Sequence, residues 1–154
     1  MYLFCWRRIL FEYEVAMKKV TDFQDLQCWK MATDLCRQVY VLCEKANLPA
    51  DDEFACRRHV ATLNISGKIA FAFGPEEVER FHKRLPLSIQ YCGECLFWTR
   101  VALKKKIITE KTYLDIEKKL KKITKKIRSI LRYLEAYGHD EKYKRRIFFE
   151  EFDG

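Results

Sequence analysis

A chain of 154 residues, 49% apolar and with only five glycines and three prolines, folds as one globular domain. It is neither a disordered tail nor an all-β fold built on tight turns. Its net charge of +8 is gathered in one place: 13 basic residues stand against three acidic ones from Arg100 to Arg132, a segment charge of +10, which leaves −2 for the rest.

No run approaches the ~20 apolar residues of a membrane span, so no membrane contact is expected. Residues 1–21 lack a clean period and read as an N-terminal appendage, within which Met17 is a candidate start of translation. Arg7, Arg8, Glu12 and Glu14 break any signal-type apolar core. The seven cysteines, Cys5, Cys28, Cys36, Cys43, Cys56, Cys92 and Cys95, are therefore expected as reduced thiols in a cytoplasm.

Thr21 and Gln24 fit a capping box for a first helix that runs to about Asn47 and stops before Pro49. Its inner face reads Leu26, Trp29, Ala32, Cys36, Val39, Cys43, Ala46. Asp51, Asp52 and Glu53 supply the acidic first turn of a second helix, which ends at Gly74-Pro75. This helix carries two apolar stripes, Cys56-Val60-Leu63-Gly67-Ala70 and Ala61-Ile65-Ile69-Ala72. Two stripes imply two partner surfaces. Ile65 and Ile69, with Tyr91 and Trp98 of the next helix, are the expected contacts between subunits.

Pro75 with Glu76, Glu77 and Glu79 opens the third helix. Pro86 inside it predicts a kink near Arg84 to Pro86, or a short helix followed by a long one. Thr109 caps the fourth helix, and Gly138 suits its end. Along that helix Tyr113, Ile116, Leu120, Ile123, Ile127, Ile130, Leu134 and Tyr137 keep a 3-4 rhythm, the seam of a helix packed lengthwise on others. Residues 139–154 form a tail, a basic knot followed by Ile147-Phe148-Phe149, either loose or docked on the bundle. The expected fold is all-α: an antiparallel up-down-up-down four-helix bundle over 22–138.

No catalytic constellation emerges. Cys92-Gly-Glu-Cys95 has the C-x-x-C spacing, but no second ligand pair stands at zinc-site distance, and a mid-helix setting favours buried, inert thiols. His59, His82 and His139 are isolated, and no phosphate-loop, nucleophile-elbow or metalloprotease motif occurs. Glu94 is expected to be buried and paired with Arg57 or Arg58. No cofactor, metal or enzymatic activity is expected.

The basic coat of the fourth helix remains. Lys104, Lys105, Lys111, Lys118, Lys119, Lys122, Lys125, Lys126, Arg128 and Arg132 are the candidate nucleic-acid contacts, because phosphate binding asks for many cations on one surface and no fixed sequence. Stacking aromatics are not interleaved there, so recognition would select sequence only weakly. The competing use is a solvated face, or one that meets an acidic protein.

Several segments resemble the four-helix-bundle family of 23S ribosomal RNA intervening-sequence proteins. They are Phe23-x-Asp25-Leu26-x-x-Trp29-x-x-Ala32 with Val39-Tyr40, then Ile65-Ser-Gly-Lys-Ile69-Ala70-Phe-Ala-Phe73-Gly74, then Phe81, Leu85 and Glu94, and Ile107-Ile-Thr-Glu-x-x-Tyr113. The resemblance spans about Phe23 to Leu134. The chain departs from the family pattern at Lys68, Phe71 and Ala72, where the family has asparagine, glutamate and glycine, and at Pro86. The resemblance implies a homopentamer without established enzymatic activity. It also implies kinship with the accessory protein of diversity-generating retroelements, a basic pentamer that binds RNA or DNA and a reverse transcriptase.

Overall fold

The computed structural model describes residues 18–20, 22–48, 52–73, 78–137 and 147–149. In chain order its elements are strand β1 (Lys18–Val20), a 3-10 turn (Phe23–Asp25), α1 (Gln27–Lys45), α2 (Glu53–Phe73), α3 (Val78–Arg84), α4 (Pro86–Lys104), α5 (Glu110–Tyr137) and strand β2 (Ile147–Phe149). Helix dominates, and α1 packs on α2, α2 on α4, α4 on α5 and α5 on α1, so four long helices close around one core.

Local chemistry sets the helix starts. Asp22 accepts a hydrogen bond from the Gln24 amide at 2.9 Å and closes the 3-10 turn ahead of α1. Its expected neighbour in that role, Thr21, lies outside the described residues, as do Asp51, Glu76, Glu77 and Gly138. Asp52 accepts from the Ala55 amide at 3.0 Å and caps α2. Thr109 accepts from the Thr112 amide at 3.2 Å and caps α5. Each oxygen satisfies an amide that has no partner within its helix. Pro86 stands at the start of α4, where its missing N–H removes no helical bond. The long third helix therefore divides at Leu85 into a short α3 and a long α4.

The α5 seam lies where its period puts it. Ile116, Ile123 and Ile127 are fully buried, and Tyr113, Leu120, Ile130 and Leu134 nearly so. The side chain of Tyr137 lies outside the described residues. Burying each isoleucine contributes about 1.5–3 kcal/mol. Facing the seam are Leu35 and Val39 of α1, Ile65 and Ile69 of α2, and Cys92 and Cys95 of α4. On α1, N-cap included, Leu26, Ala32 and Val39 are buried as expected, but Cys28 and Leu35 complete the inner face, whereas Trp29, Cys36, Cys43 and Ala46 are half-buried.

Two expectations need correction. Ile65 and Ile69 are 0% exposed within a single chain, so they form the protomer's own core and not a contact between subunits. The stripe that faces outward on α2 is the other one, with Val60 51% and Leu63 52% exposed. Glu94 is exposed, because its neighbour Cys95 takes the inward position of α4 alongside Ser88, Cys92, Thr99 and Ala102. Arg57 pairs instead with Glu53 at 2.8 Å. Arg58 is 0% exposed, and none of its guanidinium nitrogens meets a hydrogen-bond acceptor among the described residues. Burial lowers its pKa.

The strand pair has no counterpart in the sequence analysis. β1 and β2 run antiparallel, with Lys18 opposite Phe149, Lys19 opposite Phe148 and Val20 opposite Ile147. The ladder joins a segment ahead of α1 to one beyond α5.

Candidate nucleic-acid interface

The outer side of α5 is set by the same 3.6-residue period that buries its seam. Lys111, Lys118, Lys122, Lys125 and Arg132 project opposite the seam, and all five are exposed. None of them has an ion-pair partner among the described residues. At 1.5 Å per residue the row from Lys111 to Arg132 extends about 30 Å. A duplex carries a negative charge every ~1.7 Å of its axis, so a track of this length faces many phosphates.

The other candidates have different surroundings. Lys104 and Lys105 are exposed at the end of α4, and the Lys105 ammonium sits 5.1 Å from the Phe54 ring centroid. Arg128 is exposed beside the row, and Lys126 is half-buried on the side toward α1. Lys119 is committed elsewhere. Its ammonium lies 2.8 Å from Asp115 and donates to the Gln38 side-chain oxygen at 2.8 Å, while the Gln38 amide donates to Asp115 at 2.9 Å. This three-membered network joins α1 to α5, and Lys119 thus serves the bundle. The Lys119 ammonium, then the Gln38 amide, hold the Asp115 carboxyl below its ordinary range.

Lys121 is likewise engaged, 3.2 Å from Glu117. Tyr113 donates to Glu117 at 3.1 Å and accepts from Arg100 Nε at 2.9 Å, which ties the end of α4 to α5. The Lys121 contact, with help from Tyr113 and Arg100, lowers the Glu117 pKa. Two of the three acids of the basic segment, Asp115 and Glu117, are thus engaged on its inner edges, and the outer row keeps no ion-pair partner among the described residues.

Between α4 and α5 runs a groove of about 880 Å³. Ile89, Cys92, Leu96, Leu120 and Leu131 give it an apolar lining, and Lys121, Lys125, Arg128 and Arg132 line it together with two acids, Glu117 and Glu135. Of the expected subunit contacts on α4, Tyr91 is half-exposed, and Trp98 is half-buried against Phe54 and Phe97 at 5.9 and 5.0 Å between ring centroids.

The C-x-x-C pair is core. Burial pushes the Cys92 thiol up to about 11 and the Cys95 thiol up to about 12. Among the described residues no group of three His, Cys, Asp or Glu is placed to hold a metal ion. His82 meets Glu135 at 3.4 Å. No helix among the described residues is long and apolar enough to cross a membrane.

One constellation escaped the sequence analysis because three elements build it. Lys68 and Phe71 of α2, Arg84 of α3 and Tyr91 of α4 come together at one end of the bundle. The only sequence signal was that Lys68 and Phe71 break the family pattern.

No curated protein and no solved structure is significantly similar to the chain. The profile of one family, described as 23S rRNA-intervening sequence protein, matches residues 24–129, which takes in most of the bundle and the basic row as far as Lys125. The chain belongs to the 23S rRNA-intervening sequence protein family.

Proposed function

We propose that this protein is a non-enzymatic, self-associating nucleic-acid-binding factor of the cytoplasm, with RNA as its ligand. The observation that carries the proposal is the exposed row Lys111, Lys118, Lys122, Lys125 and Arg132 on the outer side of α5, none of which has an ion-pair partner among the described residues. Lysines act there as point charges on phosphates, which gives affinity with little sequence preference. We read the bundle as up-down-up-down. Supporting pairs are Cys43 with Arg58, Lys68 with Tyr91, and Arg100 with Tyr113, each joining the later part of one long helix to the earlier part of the next.

Self-association follows from the outward stripe of α2. Val60 and Leu63 are each about half exposed, and a Cβ placed on Gly67 would meet nothing within 4 Å. A flat apolar strip of this kind suits a second copy of the chain. Five copies is the number that the family resemblance implies. Light scattering of the wild type should give a multiple of 18.6 kDa, and Val60→Asp with Leu63→Asp should return the monomer mass. A wild-type monomer at micromolar concentration would refute this part.

Binding is tested by fluorescence anisotropy with labelled RNA. Converting Lys118, Lys122, Lys125 and Arg132 to glutamine should weaken binding at least tenfold at low salt, whereas Lys119→Gln should do little. Equal affinity of wild type and quadruple variant would refute the assignment. A second reading is a scaffold whose basic face meets an acidic protein. The groove between α4 and α5 favours it, because an apolar lining edged by four cations against two acids suits an acidic amphipathic helix. Retained protein binding without RNA binding would select that reading.

A further inference from the structure

We infer that Phe71, with Lys68, Arg84 and Tyr91, forms a stacking site for an unpaired base of a single-stranded nucleic acid. The inference rests on the nucleic-acid reading above and specifies which form of the ligand the protein holds.

Phe71 is 55% exposed at the end of α2, an unusual place for a phenylalanine in a helix whose neighbours Ile69 and Ala72 are fully buried. Two cations converge on it. The Arg84 guanidinium carbon lies 4.5 Å from the ring centroid and the Lys68 ammonium 5.6 Å from it. The same ammonium lies 5.9 Å from the Tyr91 ring, so it bridges two aromatic rings. Neither Lys68 nor Arg84 has an ion-pair partner among the described residues. Sharing one ring holds the two charges within about a Debye length of each other, ~10 Å at 0.1 M salt, so they repel. A cation–π contact at an exposed ring gains only ~0.5–1 kcal/mol, too little to make this arrangement a strong structural device.

A nucleotide resolves both features. Its phosphate compensates Lys68 and Arg84, and its base covers the open part of Phe71, with Tyr91 beside it. Stacking on aromatic rings beside backbone-tracking cations is how proteins hold single strands without reading sequence. The site also continues the α5 track. Arg132 lies one turn before Glu135, Glu135 meets His82 at 3.4 Å, and His82 is two residues from Arg84. A strand that follows the α5 row toward its C-terminal end arrives at this end of the bundle.

The test uses the full chain and four probes: oligo(U), oligo(dT), an abasic deoxyribose strand of the same length, and an RNA duplex. Phe71→Ala should weaken oligo(U) and oligo(dT) by about 5- to 150-fold, the effect of removing one base–aromatic stack. It should leave the abasic strand and the duplex unchanged, because they offer no free base. Phe71→Trp should restore single-strand affinity. A loss on only one of the two oligonucleotides upholds the site and identifies its ligand as RNA or DNA. The inference is overturned if Phe71→Ala binds oligo(U) and oligo(dT) as the wild type does. It is equally overturned if Phe71→Ala shifts the mass in light scattering, which would make Phe71 a subunit contact. If the wild type binds none of the probes, the nucleic-acid reading itself fails. If the α5 variant loses affinity while Phe71→Ala does not, only the stacking site fails.

Discussion

Arg58 offers a sharp test of the packing. The residue is 0% exposed, and its guanidinium nitrogens find no acceptor among the described residues, with the thiols of Cys43 and Cys95 as its electrostatic neighbours. A buried cation without a counter-charge costs several kcal/mol, even after relaxation. Arg58→Met keeps an unbranched stem of similar reach and removes the charge. We expect it to stabilise the fold by about 1–4 kcal/mol, the range seen when buried charges give way to well-packed apolar groups. In a domain of this size each kcal/mol moves the thermal midpoint by ~2–4 °C. Arg58→Ala removes the stem as well, and the cavity it leaves should cost ~2–5 kcal/mol, which cancels the gain. Urea unfolding followed by circular dichroism, at one fixed protein concentration, measures all three proteins. If Arg58→Met is less stable than the wild type by more than about 1 kcal/mol, the guanidinium has an acceptor that matters and the reasoning is refuted.

Two further outcomes are expected. The Lys119 ammonium and the Gln38 amide depress the Asp115 pKa below 3.8, so this contact adds stability that is present above pH ~4 and lost as the pH falls through the folded value. The stability difference between wild type and Asp115→Asn should therefore stay constant from about pH 8 to pH 5 and vanish only below about pH 4. A difference that shrinks between pH 8 and 5 would contradict the pairing. Cys92 and Cys95 are buried thiols raised to about 11 and 12, whereas Cys56 is exposed. In the native protein at pH ~8 an aromatic disulfide reagent should label Cys56 first and the other two only on unfolding. Peptide mapping that finds Cys92 or Cys95 labelled as fast as Cys56 would contradict their burial.

The parts of the fold most legible in the sequence were those fixed by local period and capping. The seam from Tyr113 to Leu134 is one-sided, with lysines on every other face, so only one orientation buries it. Thr109 and Asp52 act through neighbouring amides and need no tertiary information. Where two solutions were equally apolar the sequence was mute. Both stripes of α2 suit a core, and the packing of α1 and α4 decides that Ile65 goes inside and Leu63 outside. Glu94 and Arg58 fall to the same cause, since one residue of rotation exchanges a buried position for an exposed one. β1 and β2 are three residues each and separated by almost the whole chain, so neither carries a period. The basic row was legible from charge alone, but the diversion of Lys119 to Asp115 and Gln38 required α1 in place. The cluster around Phe71 required three separate elements.

The most direct test of the central claim is the salt dependence of RNA binding. Each neutralised duplex phosphate contributes about −0.9 to the slope of log affinity against log salt. Lys118, Lys122, Lys125 and Arg132 together should give a slope near −4 for one subunit, with avidity steepening it in an assembly. Their replacement by glutamine should flatten the slope and leave stability within about 0.5 kcal/mol, because all four are exposed and off the buried seam. No binding by the wild type at low salt, or an unchanged slope in the variant, would contradict the assignment of α5 as a nucleic-acid interface.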